Sequence, residues 1–259
     1  MPKFFPLLLV LAPLLFSCVN TRKATYFNNI PTTRSFQELK VPEHTIEQND
    51  ILAITVSSQN LEAARIFNEP GRTDVRSTSP TGNALELAGY LVNKEGLIHF
   101  LMLGDLKAEG LTTDQLQGVI QTAIVKRKLL VSPVVEVRLL NFKVTVLGEV
   151  ARPTVVSVPS EKITLLEALG LAGDITLYGK RSNVLVIREV SGKRVASRVN
   201  LNSDTFFGSP YYYLQPNDVV YVEPNKSRIA GTSRFNLYLP AIVSSFSVII
   251  IVVDRLLRR

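Results

Sequence analysis

Alternating apolar and polar positions dominate the middle of the chain and outline its elements. Residues 44–56, HTIEQNDILAITV, predict a turn and then a strand, with apolar positions at Ile46, Ile51, Ile54 and Val56. The Asn49-Asp50 pair favours the turn, because both side chains bond nearby backbone groups. Residues 211–223, YYYLQPNDVVYVE, repeat the pattern: Gln215-Pro216-Asn217-Asp218-Val219-Val220 matches Gln48-Asn49-Asp50-Ile51-Leu52. Asp50 and Asp218 therefore read as turn caps and not as catalytic acids. Residues 57–88, with Pro70-Gly71, Pro80 and Gly82, predict a long loop holding one short helix. Residues 89–106 predict two strands joined by a hairpin turn at Asn93-Lys94-Glu95-Gly96.

Helical spacing begins at Thr112 or Thr113 and runs to about Lys128. Leu116, Val119, Ile120, Ala123 and Ile124 form its apolar face, and Thr112 with Gln115 has capping-box spacing. After Pro133, residues 134–140 predict a strand. From Lys143 the pattern restarts. KVTVLGEV and PTVVSVP predict paired strands around 149–152, and Thr164 with Glu167 opens a short helix, TLLEALGLAG. NVLVIREV and KRVASRVNL predict a second hairpin, turning at Ser191-Gly192. A sheet packing one short helix has β-grasp character. The fold class expected is α+β.

The two ends differ from this middle. Residues 1–17, MPKFFPLLLVLAPLLFS, carry Lys3 and then an apolar stretch too short to span a bilayer comfortably. The stretch ends in Leu15-Phe16-Ser17-Cys18, the pattern of a lipoprotein cleavage site, although Phe16 is bulkier than usual there. The small Ser17 admits a peptidase, and the Cys18 thiol is the nucleophile that takes a diacylglycerol. Residue 19 is Val and not Asp, and NTRKATYF holds no acidic run. A periplasm-facing outer-membrane anchor is the expectation. At the other end, residues 235–253 carry no charge, and nineteen helical residues rise about 28 Å. On a helical wheel Asn236, Pro240, Ser244, Ser247, Asp254 and Arg258 fall within about 80° of one another, interrupted by Ile251. Asn236, Ser244, Ser247, Asp254 and Arg258 are the candidate lumen-facing residues. Serine packing between neighbouring helices is the plainer reading of such a stripe.

Composition narrows the function. The net charge is +7, but the basic residues are scattered, with four at the chain ends: Lys3, Arg255, Arg258 and Arg259. No basic stripe with interleaved aromatics points to nucleic acid. One cysteine and two histidines, His44 and His99, exclude a disulfide framework and a Cys/His zinc site. Glu149, Glu167 and Asp174 could form a carboxylate pair for glycoside chemistry, but each has a simpler role in a turn or cap.

The blocks IEQNDILAITV, GYLVNKEGLIHFLMLGDLKAEGLTTDQL, SPVVEVRLLNFKVTVLGEVARP, ITLLEALGLAGDITLYGKRSNVLVIRE and YYLQPNDVVYVEPN follow the lipobox in order. Together they resemble the outer-membrane polysaccharide export lipoproteins. The resemblance implies a signal peptide over 1–17, a linker over 18–43 and a polysaccharide-export domain over 44–142. It implies a soluble-ligand-binding β-grasp domain over 143–225 and a transmembrane helix over 235–255. It further implies a homo-oligomeric ring, whose helices form a barrel in the outer membrane. The expected partners are a capsular polysaccharide or exopolysaccharide and an inner-membrane synthesis and export complex of the tyrosine-kinase co-polymerase type. No catalysis, cofactor, metal or nucleic acid is implied. One β-grasp unit stands where larger members carry two or more. Two other readings stay open: a glycan- or peptidoglycan-binding lipoprotein without a pore, and an inner-membrane stop-transfer helix with a cytoplasmic tail.

Overall fold

The computed structural model describes residues 24–257 except 32, 37–38, 69–72, 79–83, 191 and 232–233. The expected leader and Cys18 lie outside the described residues.

Two hydrophobic cores organise the chain. The first is built on a four-stranded antiparallel sheet of β1 (Ile51–Ser57), β2 (Thr73–Thr78), β3 (Ala84–Leu91) and β6 (Val134–Leu139), in the order β2-β3-β1-β6. Alternation in β1 turns Leu52, Ile54 and Val56 inward, as a half-buried strand requires. Helix α1 (Leu61–Asn68) adds Ala64 and Phe67 to this core. A small hairpin of β4 (Leu97–Phe100) and β5 (Gly104–Lys107) supplies Ile98 and Phe100. Helix α2 (Thr113–Lys126) closes the layer with Leu116, Ile120 and Ile124 fully buried, whereas Val119, expected on the same face, lies at its edge and is 40% exposed. Its capping box is formed: Gln115 N–H donates to Thr112 Oγ1 at 3.2 Å, and Thr112 N–H donates to Gln115 Oε1 at 3.0 Å.

The segment 57–88 is therefore richer than a loop with one helix: besides α1 it holds β2 and most of β3. The Gly, Pro, Ser and Thr content of the segment hides these strands, which pair mainly with each other, while β1 meets only Leu91 and Tyr90 of β3. The turn at 93–96 is present, with Asn93 Oδ1 accepting from Glu95 N–H and Leu97 N–H. The strands flanking it do not form one ladder, however: β3 pairs with β1 and β2, and β4 pairs with β5.

The second core is built on a five-stranded sheet of β7 (Lys143–Gly148), β8 (Thr154–Ser157), β10 (Gly179–Val190), β11 (Lys193–Val199) and β13 (Val219–Pro224). The order is β11-β10-β13-β7-β8, antiparallel except for the parallel pair β13–β7. Parallel pairing needs a crossover, and the chain between β7 and β13 contains every other element of this sheet. Helix α3 (Leu165–Leu171) packs on the sheet through Leu165, Ala168 and Leu169. Its box, Thr164 with Glu167, is also formed. A two-stranded pair, β9 (Ile163–Thr164) with β12 (Tyr213–Leu214), ties the start of α3 to the approach to β13.

The two units meet at Leu139 to Phe142. Asn141 Oδ1 accepts from Ile51 N–H at 3.0 Å while its Nδ2 donates to Asn49 O at 3.1 Å. Leu139 packs against both cores.

Residues 24–36, read from the sequence as part of a linker, dock on the second unit. Phe27 N–H donates to Leu201 O at 3.1 Å and Asn28 N–H to Asn202 O at 3.0 Å. Phe27 and Phe36 join Phe206, Phe207 and Tyr212 in an aromatic cluster, and Arg34 pairs with the buried Asp204. No periodicity reveals this segment, because its partners lie about 170 residues away.

Beyond α4 (Lys226–Gly231), helix α5 runs over Arg234–Leu257. Every described side chain from Tyr238 to Leu256 is exposed in the single chain. Among the described residues no helix is long and apolar enough to cross a membrane. The span expected over 235–255 is therefore not supported by the described residues.

Gly148 tests the parallel pair. Its φ is +91°, and an added Cβ would meet Val222 O at 2.1 Å. Gly148→Ala is expected to destabilise the protein by more than about 1 kcal/mol, read by chemical denaturation.

Candidate functional site

The two Asn-Asp turns are built alike. In the first, Asn49 takes φ +68° and Asp50 N–H donates to Glu47 O at 3.2 Å. In the second, Asn217 takes φ +65° and Asp218 N–H donates to Gln215 O at 3.2 Å. Positive φ at the third residue defines a type II turn, which asparagine tolerates, and Pro216 suits the second position. Each aspartate then accepts from the first residue of its turn: Asp50 from Glu47 N–H at 2.9 Å, Asp218 from Gln215 N–H at 2.8 Å. Both are turn caps, as the sequence indicates.

Their outward partners differ. Asp50 is 5% exposed and faces His44 Nε2 at 3.2 Å. Asp218 is fully buried and takes a bidentate pair from Arg188: Nε to Oδ1 at 3.0 Å and Nη2 to Oδ2 at 2.7 Å. The same guanidinium donates to Tyr213 O at 3.0 Å and lies 5.0 Å over the Tyr211 ring. The sequence reading did not single out Arg188. The signal was present, because period two in β10 puts Arg188 on the inward face with Val184 and Val186.

The carboxylates considered for acid–base chemistry are all committed elsewhere. Glu149 accepts from Thr176 Oγ1 at 2.9 Å and pairs with Arg228 Nε at 3.1 Å. Glu167 is the capping-box residue of α3. Asp174 accepts from Ile175 N–H at 2.6 Å and from the Tyr26 hydroxyl. Burial raises the Tyr26 pKa above the ordinary tyrosine range, and the Asp174 bond adds to the shift. His99 pairs with Asp105 on the surface at 2.7 Å. No group of three or more metal-ligating side chains occurs among the described residues.

One open cleft of about 750 Å³ separates the two units. Its walls include Glu43, His44 and Asp114 on one side and Ser160, Glu161 and Lys162 on the other, with Arg138 and Phe142 between. The lining mixes both charge signs and little aromatic surface. It can offer hydrogen bonds to a polar chain, but it aligns no nucleophile with a base.

Of the candidate lumen residues, Ser244 and Ser247 are described and exposed on α5. Ser244 Oγ donates back to Ala241 O at 2.9 Å, as does Ser245 Oγ at 2.8 Å. Serine bonded back to its own helix is satisfied without a partner helix. The side chains of Asn236 and Asp254, and Arg258, lie outside the described residues, so only part of the stripe can be placed.

The chain thus holds two linked mixed α/β units whose buried aspartates are spent on turns. Residues 39–140 match the family described as polysaccharide biosynthesis/export protein, and residues 142–222 match the SLBB domain. The chain belongs to the polysaccharide export family. It is 26% identical over 206 residues to the EPS I polysaccharide export outer membrane protein EpsA of Ralstonia solanacearum, covering 73% of this chain and 54% of that one. It is 34% identical over 111 residues to the protein of the same name from Ralstonia nicotianae, covering 41% and 29%. The chain thus spans about half the length of the first relative and under a third of the second.

Two outcomes test the site geometry. Asp218→Ala strands the Arg188 charge in a buried position and is expected to cost about 3–5 kcal/mol in denaturant unfolding. Glu223 offers a pH test. Arg198 at 2.6 Å and then Lys180 at 3.1 Å bring its pKa down to about 2. The folded state binds this proton more weakly than the unfolded chain, so the contribution is full above the ordinary carboxylate range and fades as pH falls toward about 2. The melting-temperature gap between the native protein and Glu223→Gln is expected to be constant above pH ~5 and to close on acidification.

Proposed function

We propose that this protein exports capsular polysaccharide or exopolysaccharide at the outer membrane, as a homo-oligomeric conduit and without catalysis. The observation that carries this is the order of its two units: a polysaccharide biosynthesis/export unit followed directly by an SLBB unit over 39–222. The two Ralstonia relatives, polysaccharide export outer membrane proteins by name, agree with it. The engagement of Glu149, Glu167 and Asp174 in turns and caps also favours passage over hydrolysis.

The finer reading begins with a lipid on Cys18, which holds the chain to the outer membrane with its two units in the periplasm. Copies of α5 then pack side by side around a hydrated path. The sequence of 235–253, free of charge, and the exposure of the helix in a single chain support this part. About eight helices some 10 Å apart would enclose a lumen on the order of 15 Å. Uncharged hydroxyls on its face would bind sugars weakly, and a conduit must release what it binds. The partner on the inner-membrane side is a synthesis and export complex of the co-polymerase type. The cleft between the units favours one other reading, a glycan-binding lipoprotein without a pore.

Deleting the gene is expected to remove polymer from the cell surface and leave it in the periplasm. Wild-type surface polymer in the deletion strain would sink the export reading. Cys18→Ala is expected to leave the protein out of the outer-membrane fraction. Ser247→Cys is expected to label with a water-soluble thiol reagent, and Ile249→Cys, on the opposite side by helical spacing, is not. Equal labelling removes the lumen. Rings in electron micrographs of gently solubilised particles are expected from a conduit, and monomers from the binder.

A further inference from the structure

The last residue of α3 and the loop after it combine a rigid backbone with exposed apolar side chains. Leu177 is 78% exposed, Leu171 58% and Tyr178 46%. Single exposed apolar residues are ordinary, but three within eight residues on a braced loop form a presented surface. The bracing comes from beneath. Arg181, 5% exposed, donates to Ile175 O at 2.6 Å and to Thr176 O at 3.2 Å. Thr176 donates to Glu149, and Ala151 N–H donates to Asp174 O at 3.0 Å. The loop cannot readily fold its leucine under, so that leucine waits for an outside partner.

Both ends of the soluble region converge on this loop. From the N-terminal side, the Tyr26 hydroxyl donates to Asp174, and its ring lies 5.1 Å from the Arg181 guanidinium. From the C-terminal side, Asn225 N–H donates to Tyr178 O at 2.6 Å, and Asn225 Nδ2 donates to Leu177 O at 3.2 Å. Arg228 lies 5.4 Å over the Tyr178 ring before the chain continues into α5. Cys18 stands eight residues before Tyr26, a reach of at most about 28 Å in extended chain. A lipid on Cys18 would therefore hold this end of the protein, and not the far unit, against the bilayer. Arg152 and Lys226 are exposed around the loop and complement anionic phospholipid headgroups, while Arg228, also exposed, is paired with Glu149.

We infer that the Leu171–Tyr178 loop is a membrane foot, seating Leu177 and Tyr178 in the headgroup layer of the leaflet that holds the lipid anchor. Tyrosine suits this depth, with an apolar ring and a polar tip, and Arg228 above the ring stays at the headgroup level. The inference rests on the anchor at Cys18 in the proposed function. Its consequence is a fixed tilt: three contacts, the lipid, the foot and the start of α5, orient the β-grasp unit on the membrane.

The test uses the full-length lipidated protein in vesicles of phosphatidylethanolamine with a minority of phosphatidylglycerol. Leu177→Cys, labelled with a polarity-sensitive fluorophore, is expected to shift to the blue and lose most of its emission to a nitroxide-bearing phospholipid. The same label on Val131→Cys, 79% exposed in the first unit, is expected to do neither. Protein that floats with the vesicles while the Leu177→Cys label stays unquenched overturns the foot and leaves the anchor standing. Excimer emission between pyrene labels at Leu177→Cys, without lipid quenching, also overturns it and assigns the loop to a second copy. Protein that fails to float overturns the anchor and the foot together.

Discussion

The pairing of Arg188 with Asp218 sets the geometry of the second unit. Asp218 caps its own turn through Gln215 N–H, takes the guanidinium of β10, and offers its backbone carbonyl to Thr145 of β7 at 2.9 Å. Three chain segments far apart in sequence are thereby fixed at one point. The only parallel strand pair among the described residues, β13 with β7, starts from that point. A buried ion pair is weak evidence for net stability, since its desolvation offsets much of the attraction. What it secures is register: a one-residue slip of β13 would turn Val220 and Val222 outward and leave two buried charges unpaired.

The first unit uses the same turn with a lighter fastening. Asp50 caps Glu47 N–H but faces only His44, which is a quarter exposed. The turn's other bonds correspond: Asn49 and Asp50 bind Val92 of the neighbouring segment, as Asn217 and Asp218 bind Lys143 and Thr145. One local device, a type II turn with an aspartate at its end, thus launches a central strand in each unit. The side chain that meets the aspartate differs: His44, on the cleft wall, reaches Asp50, whereas Arg188, stacked with Tyr211, reaches Asp218.

Function follows from where polar groups are spent. Carboxylates that could have served catalysis close turns, cap α3 or hold Arg228 and Tyr26 in place. Exposed apolar side chains occur on α5 and at Leu171, Leu177 and Tyr178, as well as at scattered positions in both units.

Local chemistry made much of this legible in the residues alone. Both capping boxes, the turns at 93–96 and 215–218, the strands over 134–139 and 143–157 and the apolar face of α2 depend on neighbours within a few positions. Composition likewise settled the lack of a disulfide framework. Strands β2 and β3 were hidden because their ladders come from β1 and from each other, while their own residues are turn-rich. The docking of residues 24–36, the Arg188–Asp218 pair and the convergence of both ends on the loop at 171–178 needed the tertiary structure. Each joins groups tens to more than a hundred residues apart, and no periodicity along the chain encodes which distant partner a side chain will meet.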